Sequence, residues 1–171
     1  MVINHDLSTT RLEYDRASAG IRNPQVATLQ AGDMLFRFGS TKNLQTGSSI
    51  DPAQWARGAW WFREPDYRKI IASFQAGRLA LGTVARVAGA VQPSWSNMDV
   101  SIKARLVNDV NIYTGKGARQ YRDLLPNGMY VTLSGWPDID QIYIPGMRGA
   151  SFAALQIVRQ KIITTDSFGF D

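Results

Sequence analysis

No cysteine occurs among the 171 residues, which excludes a thiol nucleophile, a thiolate metal site and a disulfide framework. Histidine is almost as scarce. His5 is the single copy, so a Ser-His-Asp triad or a multi-histidine metal cage would have to be built around that one residue, and no metal is expected. No apolar run approaches the roughly eighteen residues of a membrane span, so no membrane span is expected. Residues 1–10 lack the basic and apolar regions of a secretory signal. The expected location is therefore the cytoplasm, or outside the cell by a route without a recognisable signal peptide. Runs of like charge, low-complexity tracts and repeats with a period of about 20 to 50 residues are also missing. So are the phosphate loop with its lysine, the strand-glycine dinucleotide fingerprint, the zinc-protease helix and the serine elbow.

What is present describes an ordinary globular chain, with 44% hydrophobic, 11% aromatic and 19% charged residues. At this length, folding buries roughly 70% of the surface of the extended chain, enough for a core without staples. Lys+Arg number 19 against 14 Asp+Glu, for a net charge of +5. Such a balance invites a nucleic-acid partner through counterion release, but the cations are scattered. Arginine outnumbers lysine, and its planar fork suits carboxylates and carbonyls as well as phosphates.

Residues 1–30 are polar and weakly patterned, with a turn at Asn23-Pro24, and read as an N-terminal arm, docked or partly ordered. Residues 31–171 read as a single α+β domain. Met34-Leu35-Phe36-Arg37-Phe38 is a short strand left through Gly39-Ser40. Asp51-Pro52 opens a helical turn with Asp51 as its cap, and Gly58-Ala59-Trp60-Trp61-Phe62 is an aromatic strand. Residues 66–74 place Tyr67, Ile70, Ile71 and Phe74 on one helical face, with Gly77 as the stop. Leu79, Leu81, Thr83, Ala85 and Val87 alternate with smaller or polar neighbours, a period of two that favours a strand while leaving a helix open. Residues 100–106 alternate as a half-buried strand should. Residues 111–114, 129–133 and 141–144 are further strands, and residues 152–165 fit a strand better than a helix. Thr114-Gly115-Lys116-Gly117 lacks phosphate-loop spacing and reads as a turn. Asp138 and Asp140 flank Ile139 at two-residue spacing, which on a strand places both carboxylates on one side. The fold class is α+β, a mixed or antiparallel β-rich core with two or three helices.

Taken in order, these pieces resemble the ADP-ribosyltransferase fold. The parts are the arginine strand Leu35-Phe36-Arg37-Phe38-Gly39-Ser40, the aromatic strand at 58–62 running into the helix at 66–74, and Asp138-Ile139-Asp140-Gln141-Ile142-Tyr143-Ile144-Pro145-Gly146, followed by Phe152. The resemblance implies split sheets and NAD as the substrate. It gives Arg37 the phosphates or ribose of NAD, with Gly39 allowing close backbone approach, and makes Trp60, Trp61 and Tyr67 candidates for the nicotinamide wall. The family's catalytic acid, normally a glutamate, holds the nicotinamide-ribose hydroxyl; here Gln141 stands at that position and Asp140 one residue earlier. The family's Ser-Thr-Ser triplet is replaced by Ala59-Trp60-Trp61. The implied activity is transfer of ADP-ribose to a protein or nucleic-acid acceptor, or hydrolysis of NAD, in a bacterial effector or toxin.

Each residue also has a plainer reading. Arg37 can pair with a nearby carboxylate, Trp60 and Trp61 can be one core and one surface aromatic, and Tyr67 can pack on its helix face. The competing functions are a basic β-rich interaction module for nucleic acid or protein, a degenerate NAD-binding pseudoenzyme, and a phage or secretion-system structural subunit.

Overall fold

A computed structural model of the chain describes residues 2–7, 10–124 and 130–163. Its α-helices are α1 (Arg11–Ser18), α2 (Glu64–Ala76) and α3 (Leu81–Gly89). Its strands are β1 (Gln25–Leu29), β2 (Met34–Gly39), β3 (Trp60–Arg63), β4 (Val100–Leu106), β5 (Val110–Lys116), β6 (Gln120–Leu124), β7 (Tyr130–Leu133), β8 (Asp140–Tyr143) and β9 (Leu155–Ile162). Seven of them form one sheet in the order β1-β5-β8-β3-β2-β4-β9, and β6 pairs with β7 apart from it. The strand pairs are antiparallel. The fold is α+β with a β-rich core.

The sheet is nearly two sheets. β2 runs beside β4 over its whole length, from Met34↔Arg105 to Gly39↔Val100. It touches β3 only at Leu35↔Arg63 and Phe36↔Phe62. Beyond Phe36 the two strands part, β3 continuing with β8 through Trp60↔Tyr143 and Trp61↔Ile142.

The alternation in residues 100–106 marks the core face as expected: Val100, Ile102, Ala104 and Leu106 are buried. They join a cluster that draws on all seven strands of the large sheet, including Leu29, Leu35, Trp61, Ile112, Ile142 and Leu155. A second cluster lies beneath α2 and α3 and holds Phe38, Phe62, Ile70, Val84, Ala85 and Ile139. α2 forms where expected, with proline in its first turn and Gly77 as its C-cap. Asp51 accepts a hydrogen bond from Ala53 N at 2.8 Å and caps a short 3₁₀ turn, Pro52–Arg57.

Three expectations change. Residues 81–89 are helix α3, and the period of two misleads because Gly82, Val84 and Arg86 are buried along with Thr83 and Ala85. With both parities inside, alternation carries no information about a face. Thr114, Gly115 and Lys116 lie within β5, not in a turn, with Gly115 opposite Gln141. The C-terminal segment begins as a 3₁₀ turn, Ala150–Ala154, before becoming β9. Of the segment expected at 129–133, Met129 lies outside the described residues, as do Thr164 and Thr165 of the last one.

Within residues 1–30, β1 pairs with β5, and Ile3 bridges Val110. Leu7, Ala17 and Ile21 form a third buried cluster with Tyr113 and Tyr143, and the Tyr113 hydroxyl donates to Leu7 O at 2.9 Å.

Trp61 anchors the meeting of the two half-sheets at 0% exposure, and its Nε1 donates to Gly58 O at 2.8 Å. Trp61→Ala should lower the unfolding free energy by about 3 to 5 kcal/mol, which urea denaturation monitored by circular dichroism measures.

Candidate functional site

A cleft of about 550 Å³ opens where β2 and β3 separate, within the usual range for small-ligand sites. Arg37 bridges the split. Ala59 O accepts from Ile144 N on the β8 side at 2.8 Å, so the next carbonyl, Trp60 O, faces the gap where β2 has moved away. Arg37 Nη1 donates to that carbonyl at 3.0 Å and Nε donates to Trp55 O at 3.3 Å. A guanidinium thus replaces the missing strand neighbour. Burial first, and the charge of Arg148 second, lower the Arg37 pKa to about 10.

Glycines mould the cleft around its functional side chains. A Cβ on Gly58 would lie 1.9 Å from Arg37 Nη2, one on Gly20 would lie 2.5 Å from the Trp60 ring, and one on Gly117 would lie 2.9 Å from Gln141 Nε2. The side chain at each of these contacts occupies the space a Cβ would take.

The β8 register decides which side chains line the wall. Ile142 and Ile144 turn into the main core, so by strand alternation Gln141 and Tyr143 face the cleft. Gln141 is 3% exposed, and its Nε2 donates to Gly89 O, leaving its carbonyl oxygen as the acceptor. Tyr143 meets Trp60 edge to face at 4.9 Å and donates its hydroxyl to Glu13 Oε2 on α1 at 3.0 Å. Burial, and then the bond to Glu13, push the Tyr143 pKa up to about 12.

The site residues expected from sequence therefore separate. Arg37, Trp60 and Gln141 line the cleft together. Trp61 is in the core beneath it, which removes it from the ring wall. Tyr67 stacks on Phe36 at 3.9 Å and packs against the second core cluster, its plainer reading. Gly39 is buried beside Arg37; a Cβ there would lie 3.3 Å from Val100 Cγ1 and 3.5 Å from Arg37 Nε, so its smallness serves packing. Asp140 pairs with Lys116 at 2.8 Å and Asp138 with Lys69 at 3.7 Å, and neither lines the cleft. The Asp140 backbone N–H donates to Asp66 Oδ1 at 3.1 Å, which ties the start of β8 to α2. Burial, the largest influence on Asp66, raises its carboxyl pKa.

Arg16, Arg57, Arg148 and Trp95 also line the cleft, and sequence reasoning missed all of them. Arg57 neighbours the aromatic strand, whereas Arg148 and Trp95 sit on loops without a motif. Arg16 pairs with Glu13 at 2.5 Å. Arg57 lies over the Phe152 ring at 4.5 Å, and its Nε is buried without a hydrogen-bond partner. Among the described residues, no carboxylate lines the cleft. Four arginines and an aromatic corner give the cleft positive charge beside ring faces, a chemistry complementary to an anion that carries a ring.

This is an α+β protein with a split antiparallel sheet and an arginine-lined cleft at the split. No protein-family model matches the sequence, and a search of curated proteins finds no match. Among solved structures the fold is similar to that of Rhs1-CT, determined in complex with its cognate immunity protein RhsI1, with a TM-score of 0.50 and 13% identity over 84% of each chain. Tne2, determined in complex with Tni2, is similar with a TM-score of 0.48 and 15% identity, covering 85% of this chain and 98% of that one. The likeness to Rhs1-CT is one of fold.

Gly58→Ala should displace the Arg37 guanidinium and leave Trp60 O without its donor, at a cost in stability of about 1 to 3 kcal/mol. Calorimetry should show inorganic pyrophosphate binding to the wild type and not to the variant, whose melting temperature falls by several degrees while its circular dichroism at about 25 °C stays that of a folded protein. For Tyr143, the folded state holds between about pH 10 and 12 a proton that the unfolded chain releases, so its contribution to stability falls as pH rises through that window. An alkaline absorbance titration should show this late phenol, and Glu13→Gln should move it to lower pH.

Proposed function

We propose that this chain binds NAD in the cleft and breaks the bond between nicotinamide and ribose, acting as an effector toxin. The observation that carries the reading is the convergence of Arg37, Trp60 and Gln141, from separate strands, on one cleft lined with arginine and free of carboxylate among the described residues. The diphosphate lies against Arg37, Arg57 and Arg148, whose planar forks match phosphate oxygens. The nicotinamide enters the corner made by Trp60 and Tyr143, and the Gln141 carbonyl oxygen accepts from a hydroxyl of the adjoining ribose.

The C1′–N bond breaks with its electron pair going to the ring nitrogen, so the cationic ring leaves as neutral nicotinamide and the positive charge passes to the sugar. Gln141 stabilises that charge with a dipole, a preorganised group where charge develops. Water attacks C1′ and gives its proton to solvent, leaving ADP-ribose. Water needs no base to deprotonate it before it attacks so electrophilic a carbon, which agrees with a cleft free of carboxylate among the described residues. A macromolecular acceptor is the alternative outcome for the same intermediate.

The effector role draws support from Rhs1-CT. A protein with a cognate immunity protein has an action that must be blocked in the cell that makes it, and this chain shares that fold. The corresponding partner here is a cognate inhibitor protein.

The test is calorimetric titration of NAD followed by an assay of nicotinamide release. Wild type should bind and release nicotinamide, Arg37→Ala should do neither, and Gln141→Ala should bind within a few-fold of wild type while releasing at least about 100-fold more slowly. NAD binding that survives Arg37→Ala would overturn the site, and binding without release would leave an NAD-binding protein without turnover.

A further inference from the structure

The cleft does not end at its arginines. Beyond Arg37, Arg57 and Arg148 it continues into an outer lobe of about 690 Å³, bounded by Ser40, residues 42–45, Ile50, Trp55 and Trp95. Those three arginines line both lobes, so a ligand held by them extends in both directions. Trp95 also lines both lobes and is 44% exposed, which leaves its ring open to stacking.

The loop that walls the outer lobe is built. Lys42 bridges Ser49 across it, and Ile50 N donates to Thr41 O at 2.7 Å. Asn43 Oδ1 accepts from Gln45 N at 2.9 Å and Thr46 N at 3.2 Å, while Asp99 takes the Thr41 backbone N–H at 2.7 Å and hydroxyl at 2.6 Å. The backbone of Lys42 is thereby fixed on the rim, and its ammonium forms no ion pair among the described residues.

The charge on this lobe has one sign. Its charged lining residues are Arg37, Lys42, Arg57 and Arg148, with no carboxylate among the described ones, and the Arg57 Nε is buried and unpartnered. A site for an unmodified adenosine ribose commonly offers a carboxylate to its hydroxyls, whereas a site for a phosphorylated one offers cations. A dinucleotide diphosphate supplies about two negative charges, and a phosphomonoester adds roughly 1.5 to 2 more. Five cations among the described residues line the two lobes; with Arg16 already paired to Glu13, the remaining four match that total, and the diphosphate alone leaves Lys42 without an anion.

We propose that the outer lobe is a phosphomonoester subsite read by Lys42, so that the preferred dinucleotide carries a phosphate on its adenosine ribose, the chemistry of NADP. The orientation, adenosine outward and nicotinamide toward Gln141, rests on the function proposed above; the subsite itself rests on the lobe's charge and its preformed loop.

The experiment uses fragments without nicotinamide. Adenosine 2′,5′-bisphosphate and 5′-AMP are titrated into wild type, Lys42→Ala and Lys42→Arg by calorimetry. Wild type and Lys42→Arg should bind the bisphosphate at least about tenfold more tightly than 5′-AMP, and Lys42→Ala should bind the two alike. Lys42 is exposed, so its removal does not endanger folding. Equal affinities in wild type, failure of both fragments to bind, or a preference that survives Lys42→Ala would overturn the subsite. Nicotinamide release is measured separately on NAD and NADP. Release without the fragment preference overturns the subsite alone, and the preference without release overturns the cleavage reading alone.

Discussion

The separation of β2 from β3 exposes a main-chain carbonyl where a sheet would normally pair it, and the Arg37 guanidinium takes that place on Trp60 O. A buried carbonyl left without a donor costs about 1 to 3 kcal/mol, so the split in the sheet and the arginine depend on each other. The cleft exists because the strands part, and they can part because Arg37 satisfies what the parting exposes. Gly58 is the further condition, since its lack of a side chain is what admits the guanidinium. The sheet split and the proposed ligand site therefore share a residue.

That arrangement concentrates positive charge with little to offset it. Burial and Arg148 lower the Arg37 pKa to about 10, which leaves the arginine charged at neutral pH but less favourably than in water. The partners of its donors are carbonyls, which orient the group without neutralising it. An anion entering the cleft would relieve the repulsion between Arg37 and Arg148, and its binding would then stabilise the folded protein by linkage. The preformed aromatic corner of Trp60 and Tyr143, held from behind by Gly20 and Glu13, adds a surface that needs no rearrangement to receive a ring.

The parts of this architecture that sequence exposes are those governed by a single local period. β4 is half-buried, so its alternation is readable, and α2 carries its own start and stop. α3 is buried on both parities, and the same rule misleads. Trp60 and Trp61 show a related limit: consecutive aromatics on a strand point to opposite faces, but composition does not say which enters the cleft, and the pairing of Trp61 with Ile142 settles it. Arg37, Trp60 and Gln141 were legible because each belongs to an ordered strand pattern. Arg57, Arg148 and Trp95 reach the cleft from a 3₁₀ turn and two loops, and their convergence is a product of tertiary folding that no spacing encodes. The contribution of α1 through Glu13 and Arg16 was hidden in the same way, within an N-terminal segment whose polarity suggested only an arm.

The identity of the β8 side chain that faces the cleft follows from the core and not from the cleft. A slip of β8 by one residue would bring Asp140 to the wall and take Gln141 away, but it would also turn Ile142 and Ile144 out of the main cluster, where they are 0% and 1% exposed. Two buried isoleucines contribute several kcal/mol at roughly 1.5 to 3 kcal/mol each, far more than a surface pair such as Lys116–Asp140 can return at about 0 to 1 kcal/mol. The register is also tied at its start, where Asp66 accepts the Asp140 N–H. A neutral amide is therefore built into the wall by hydrophobic burial on the opposite face, and the cleft keeps its positive potential because Asp140 on that strand, and Asp138 just before it, are turned toward lysines outside it.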